Sequence, residues 1–189
     1  VFHSDPAFNR RELASIYKQT LVCMGRKDQL RVVGEFFVKE IPMFELSILM
    51  VRGKDRTILA FHNVYQHRGN HLELSKQGSC QVFRCPFHGW AYGLDGNLAG
   101  VPDADAFFDL DRNDKKLLAV ALDTWQGFIF INLAEQPELS LAEFLGEQGR
   151  DLEGYPFHLG TNTFESEGGV KGNRTGMLNS VCETYHLQY

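Results

Sequence analysis

The chain has 189 residues, enough for one full domain and part of another. Hydrophobic residues at 43% and charged residues at 23% are ordinary for a globular protein, and 15 Phe can fill a core with large rings. A net charge of −5 argues against non-specific nucleic-acid binding, and the longest apolar run, Gly127 to Ala134, is far too short to span a bilayer. Four cysteines in a chain this long do not make a disulfide scaffold, so a reducing, cytoplasmic compartment is expected.

Asp5-Pro6 precedes a stretch, Phe8 to Leu21, in which Leu13, Ile16, Tyr17 and Leu21 recur at spacings of three and four; this predicts a helix. From Glu35 the period changes. Glu35 to Ile41, Leu46 to Val51 and Thr57 to Phe61 are short apolar runs of strand type, with Gly53-Lys-Asp-Arg56 as the turn between the last two. Further strands are expected at Cys80 to Phe83, Ala119 to Leu122 and Gly127 to Leu133, and glycines at 69, 78, 89, 93, 96 and 100 interrupt the middle. Many short strands with Gly-rich connections predict an antiparallel sandwich or barrel. Glu135 to Glu138 is a candidate linker, Leu141 to Leu145 a short helix, Thr161 to Glu165 the start of a new strand and Asn173 to Tyr189 a helix.

The densest chemical signal is Asn63-Val-Tyr-Gln-His67-Arg-Gly-Asn70 followed by Cys85-Pro-Phe-His88-Gly-Trp90. Cys and His two to three residues apart can aim two donors at one metal from a tight turn, and two such turns at adjacent hairpin tips make a site. On the terminal segment, Leu178, Val181, Cys182, Tyr185 and Tyr189 share one stripe of a helix, with Asn179, Glu183 and His186 together on the adjacent stripe.

These segments resemble the α subunits of the Rieske-type ring-hydroxylating oxygenases. The likeness rests on His67-Arg-Gly, on Cys85-Pro-Phe-His88-Gly-Trp and on Tyr92-Gly-Leu-Asp-Gly96-Asn-Leu. It implies a mostly β fold: an N-terminal helical segment (1–34), an antiparallel Rieske-type β-sandwich domain (35–134), a linker (135–160) and the truncated start of an α+β catalytic domain (161–189). It implies a 2Fe-2S cluster held by His67, Cys85 and His88. The family's first cysteine falls at Tyr65, a hard oxygen donor where a ferric sulfide cluster favours thiolate. Cys80 lies roughly 16 Å back along an extended strand, too far to substitute. The chain is therefore expected to bind the cluster weakly, in altered form, or not at all. His62 and His71 flank the first loop and are expected to stay outside the donor set.

In the terminal helix the resemblance makes His186 a ligand of a mononuclear Fe(II), with its second His and its carboxylate beyond Tyr189. Glu183 would bridge His186 to a cluster histidine of a neighbouring chain, matching His88, and Asn179 would stand beside them. The implied function is insertion of O₂-derived oxygen into a small organic, often aromatic, substrate. Electrons would come from a ferredoxin and/or NAD(P)H reductase, and the full-length protein would form a homotrimer or an α3β3 assembly. No nucleic acid or membrane is expected as a partner. Lacking two iron ligands, the chain as given is not expected to turn over. The rivals are a Rieske electron-transfer module and a cluster-deficient homologue, the latter because of Tyr65.

Overall fold

The computed structural model describes residues 5–160, apart from residues 13, 14, 17, 18, 67, 108, 135 and 136. The expected strand at 161–165 and the expected helix at 173–189 lie outside the described residues. The fold is mostly β, in antiparallel sheets with few helices. Strands β1 (Leu21–Arg26), β10 (Phe128–Asn132) and β9 (Ala121–Trp125) form one sheet in the order β1-β10-β9. A second sheet has the order β4-β3-β2-β5, from β2 (Glu35–Ile41), β3 (Leu46–Arg52), β4 (Ile58–His62) and β5 (Gln77–Ser79). A third is β6 (Val82–Arg84), β7 (Ala91–Gly93) and β8 (Leu98–Gly100), in chain order. Among the described residues no helix is long and apolar enough to cross a membrane.

The continuous apolar run of β3 explains the layering. A strand with one solvated face alternates apolar and polar residues, whereas one buried on both faces does not. Ile48, Leu49, Met50 and Val51 are all fully buried. Because successive side chains point to opposite faces, Leu49 and Val51 join Phe36 and Phe61 in a core shared with Phe83, Tyr92 and Leu98 of the third sheet. Ile48 and Met50 join Phe37 and Ala60 in a second core with Met24, Ile129 and Ile131 of the first sheet. The four-stranded sheet is thus the middle layer between two smaller ones. The chain at Leu118–Val120 runs beside β4, with His62 N–H on Leu118 O (2.9 Å) and Val120 N–H on Ala60 O (2.9 Å), and so leads from the middle sheet into β9.

The helical stretch ends before Leu21, the last residue of the helix that the periodicity of Phe8 to Leu21 predicts. Helix α1 covers Pro6–Glu12, and Leu21 already begins β1, which pairs with β10 from Leu21↔Asn132 to Arg26↔Phe128. The competing signal is Val22 and Met24, two residues apart, which face the second core; tertiary pairing overrides the helical spacing. The short helix expected at Leu141 to Leu145 is instead α2 (Leu141–Asp151), with non-helical angles at Gly146 (φ 54°, ψ −132°). Its start is a capping box: Ser140 Oγ accepts from Glu143 N–H (3.3 Å), and Glu143 Oε2 accepts from Ser140 N–H (2.9 Å).

Candidate metal centre

The first loop, between β4 and β5, is a narrow turn. Val64 and His71 form an antiparallel bridge, Tyr65 N–H donates to Asn70 O (3.1 Å) and Gly69 N–H to Tyr65 O (3.3 Å). Its base is clamped by Asn63, which has no exposed surface. The Asn63 amide donates to Ser47 Oγ (3.1 Å) and Glu73 O (2.8 Å), and accepts from Glu73 N–H (2.9 Å). One side chain thereby ties both legs of the loop to β3.

The second loop joins β6 to β7. Cys85 N–H donates to Trp90 O (2.8 Å) and Gly89 N–H to Cys85 O (3.0 Å), which closes Cys85 to Trp90 into a tight tip. Gly89 has φ +69°, a left-handed conformation that disfavours a side chain, and a Cβ there would stand 3.0 Å from Pro102 Cγ. Trp90 is buried and meets Phe107 edge-on at 5.7 Å, so the end of the loop is anchored by a ring.

The two tips converge. The Tyr65 hydroxyl lies 2.8 Å from His88 Nδ1, the direction of that hydrogen bond being set by the imidazole tautomer. The Cys85 side chain lies beside the same hydroxyl, near enough to act on its titration. Tyr65 is fully buried and Cys85 almost so, in one cluster with Tyr92 and Trp90. Burial first, and then the neighbouring Cys85, push the Tyr65 phenol above its ordinary pKa. From β7, the Tyr92 hydroxyl accepts Gln66 N–H (3.2 Å), a second tie between the loops, and burial raises its pKa too.

Of the candidate site residues, the structure therefore brings Tyr65, Cys85 and His88 together. His67, Asn179, Glu183 and His186 lie outside the described residues. Cys80 is not part of the tip: it sits in the crossing from β5 to β6, its N–H on Gly34 O (3.0 Å), at the far end of β6 from Cys85. Burial is the main reason its thiol is pushed up to about 11. His62 ends β4 opposite Ile48, its pKa lowered by burial, and His71 is exposed on the return leg of the first loop. Asn63 and Tyr92 are the structural residues that sequence reasoning left without a role. Tyr92 stands two residues after Trp90 in a quoted motif, while nothing local marks Asn63 as a clamp.

A cluster of the Rieske kind draws on two thiolates and two imidazoles. Among the described residues the tips supply one thiol and one imidazole, with a phenol bonded to the imidazole and clustered with the thiol. No three His, Cys, Asp or Glu side chains among the described residues are grouped so as to hold a metal ion. The residues present at the tips do not fit a two-thiolate cluster.

Comparison with known proteins matches residues 20–124 to the family described as Rieske [2Fe-2S] domain. The oxygenase subunit of carnitine monooxygenase from Escherichia coli (strain K12) is 34% identical over 133 residues, covering 70% of this chain and 35% of that protein. The α subunit of benzene 1,2-dioxygenase from Pseudomonas putida is 33% identical over 146 residues, covering 77% of this chain and 32% of that one. Among solved structures, a quaternary ammonium Rieske monooxygenase in complex with gamma-butyrobetaine matches with a TM-score of 0.74 and 27% identity, over 80% of this chain and 43% of the other. Naphthalene 1,2-dioxygenase from Rhodococcus sp. bound to indole matches with a TM-score of 0.73 and 27% identity, over 78% and 34%. The chain spans about a third of the length of the curated relatives it matches.

Proposed function

This chain belongs to the Rieske 2Fe-2S domain family, and from that membership we propose that it is the Rieske-domain part of an oxygenase α subunit, the part through which electrons would enter when a cluster is bound. Its relatives by sequence are oxygenase subunits of both monooxygenases and dioxygenases, and its structural neighbours are Rieske oxygenases. The observation that carries the reading is the convergence of the two loop tips on one buried point, with Tyr65, Cys85 and His88 in contact. A chain of this kind would work with a ferredoxin and/or NAD(P)H reductase in the cytoplasm, as a homotrimer or α3β3 assembly, on a small organic substrate and O₂. His186 would be one ligand of a mononuclear Fe(II), which when bound supplies open positions for oxygen chemistry. Glu183, with Asn179 beside it, would fix the tautomers of the imidazoles on either side. His67 would be the imidazole of the first loop. Within the described residues the chain's own part is to hold the two tips in register: Asn63 clamps the first, Trp90 anchors the second, and Tyr92 ties them together.

The Tyr65–His88 bond favours a second reading, a family member whose Rieske domain keeps the fold without the relay. Two measurements on the complete protein separate the two: iron with acid-labile sulfide, and substrate-dependent NAD(P)H oxidation with a partner reductase. Iron, sulfide and coupled product formation support the oxygenase. Absence of all three, with the fold intact by circular dichroism, supports the scaffold.

A further inference from the structure

We propose that Tyr65 is a metal-free staple: its phenol fills the space between the two loop tips, holds His88 and Cys85, and keeps the domain folded without a cluster, so that Tyr65→Cys alone converts the site to cluster binding. This rests on the reading of the domain as a Rieske site by descent.

Three features carry it. First, Tyr65 is among the largest fully buried side chains of the protein. A buried phenol needs a partner for its hydroxyl, and here His88 Nδ1 supplies one at 2.8 Å. Second, His88 Nδ1 engaged in that bond is not open to a metal, and the phenol occupies the same buried cluster as the Cys85 sulfur that would bind iron. The ring therefore competes with a cluster for both the volume and the donors. Third, the bonds that shape each tip by itself are not made by the ring, which instead joins one tip to the other. The first loop is closed by Asn63 and the Val64–His71 bridge. The second is closed by the Cys85–Trp90 and Gly89–Cys85 backbone bonds. Replacing the phenol by a thiol leaves those bonds in place, frees His88, and supplies the second sulfur that the donor set lacks.

A staple makes a second demand. In metal-held domains chelators unfold the chain, because binding free energy is folding free energy. Here the phenol takes that role, so the melting temperature of the wild-type domain should not respond to chelator.

The test is anaerobic reconstitution of the complete protein with iron and sulfide, followed by metal and sulfide analysis, visible absorption and low-temperature paramagnetic resonance. The wild type is expected to retain neither iron nor sulfide after desalting, and Tyr65→Cys to retain ~2 irons and ~2 sulfides per chain with a Rieske spectrum. A full, stable cluster in the wild type overturns the staple and leaves the Rieske reading standing. A folded Tyr65→Cys protein that binds nothing overturns both. Should Tyr65→Cys fail to fold, Tyr65→Phe decides: it keeps the ring and loses only the hydroxyl. A clear drop in its melting temperature, with no response to chelator in the wild type, supports the staple. A melting temperature equal to that of the wild type overturns it.

Discussion

Replacing Asn63 with alanine should loosen the first loop. The side chain is fully buried and makes three hydrogen bonds, two to the backbone of Glu73 and one to Ser47 Oγ. Each such bond is worth about 1 kcal/mol net, and a partner left unpaired in the interior costs ~1–3 kcal/mol. Glu73 is only half-buried, so water can recover part of its loss, whereas Ser47 is buried and its hydroxyl keeps its bond to Glu40 (2.6 Å). The sum is a loss of about 2–3 kcal/mol. Urea denaturation monitored by circular dichroism measures it, and amide exchange reports where it falls. The Glu73 amide should exchange much faster, while Met50 and Ile129 in the cores stay protected. Ser47→Ala in a double-mutant cycle with Asn63→Ala should show coupling, since the two side chains touch. A loss under about 0.5 kcal/mol with unchanged protection at Glu73 would refute the clamp.

Three further outcomes are expected. Gly34 has φ +88°, and a Cβ there would overlap the Cys80 carbonyl oxygen, so Gly34→Ala should cost ~2–4 kcal/mol by urea denaturation. The Cys80 thiol titrates near 9.0 when unperturbed and is held up to about 11 in the fold. Because the folded pKa is the higher, its contribution to stability is full below pH 9 and is lost as pH rises toward 11. Cys80→Ala should therefore flatten the alkaline fall in stability relative to the wild type, measured by melting temperature from pH 8 upward. Ser140→Ala removes the N-cap of α2 and should cost ~1 kcal/mol, read as faster exchange in the first turn of that helix while the sheets are unaffected.

The fold was legible where periodicity met burial. The runs beginning at Glu35, Leu46 and Thr57 are strands β2, β3 and β4 within a residue or two, because a β-branched, aromatic-rich run bounded by turn residues has few other solutions. The unbroken run of β3 even held the reason for its central place. At the N-terminus the spacing of Leu13, Ile16, Tyr17 and Leu21 pointed to one long helix, yet Leu21 pairs with Asn132, more than a hundred residues away. No local pattern encodes such a partner. The three-residue strands β5, β7 and β8 escaped for a related reason: each is too short to show a period and exists only through its neighbours.

The donor residues at the loop tips were set by sequence alone, since Cys85 and His88 stand in a tight turn whatever surrounds them, and the substitution of a phenol at position 65 is visible in the letters. What that phenol does was decided by tertiary structure. Its bond to His88 and its burial with Cys85 join residues 20 or more positions apart. They form because Asn63 and the β6–β7 hairpin bring two separate loops against one buried point. Chemical identity is local and can be read along a chain, whereas proximity and exclusion of water come only from packing.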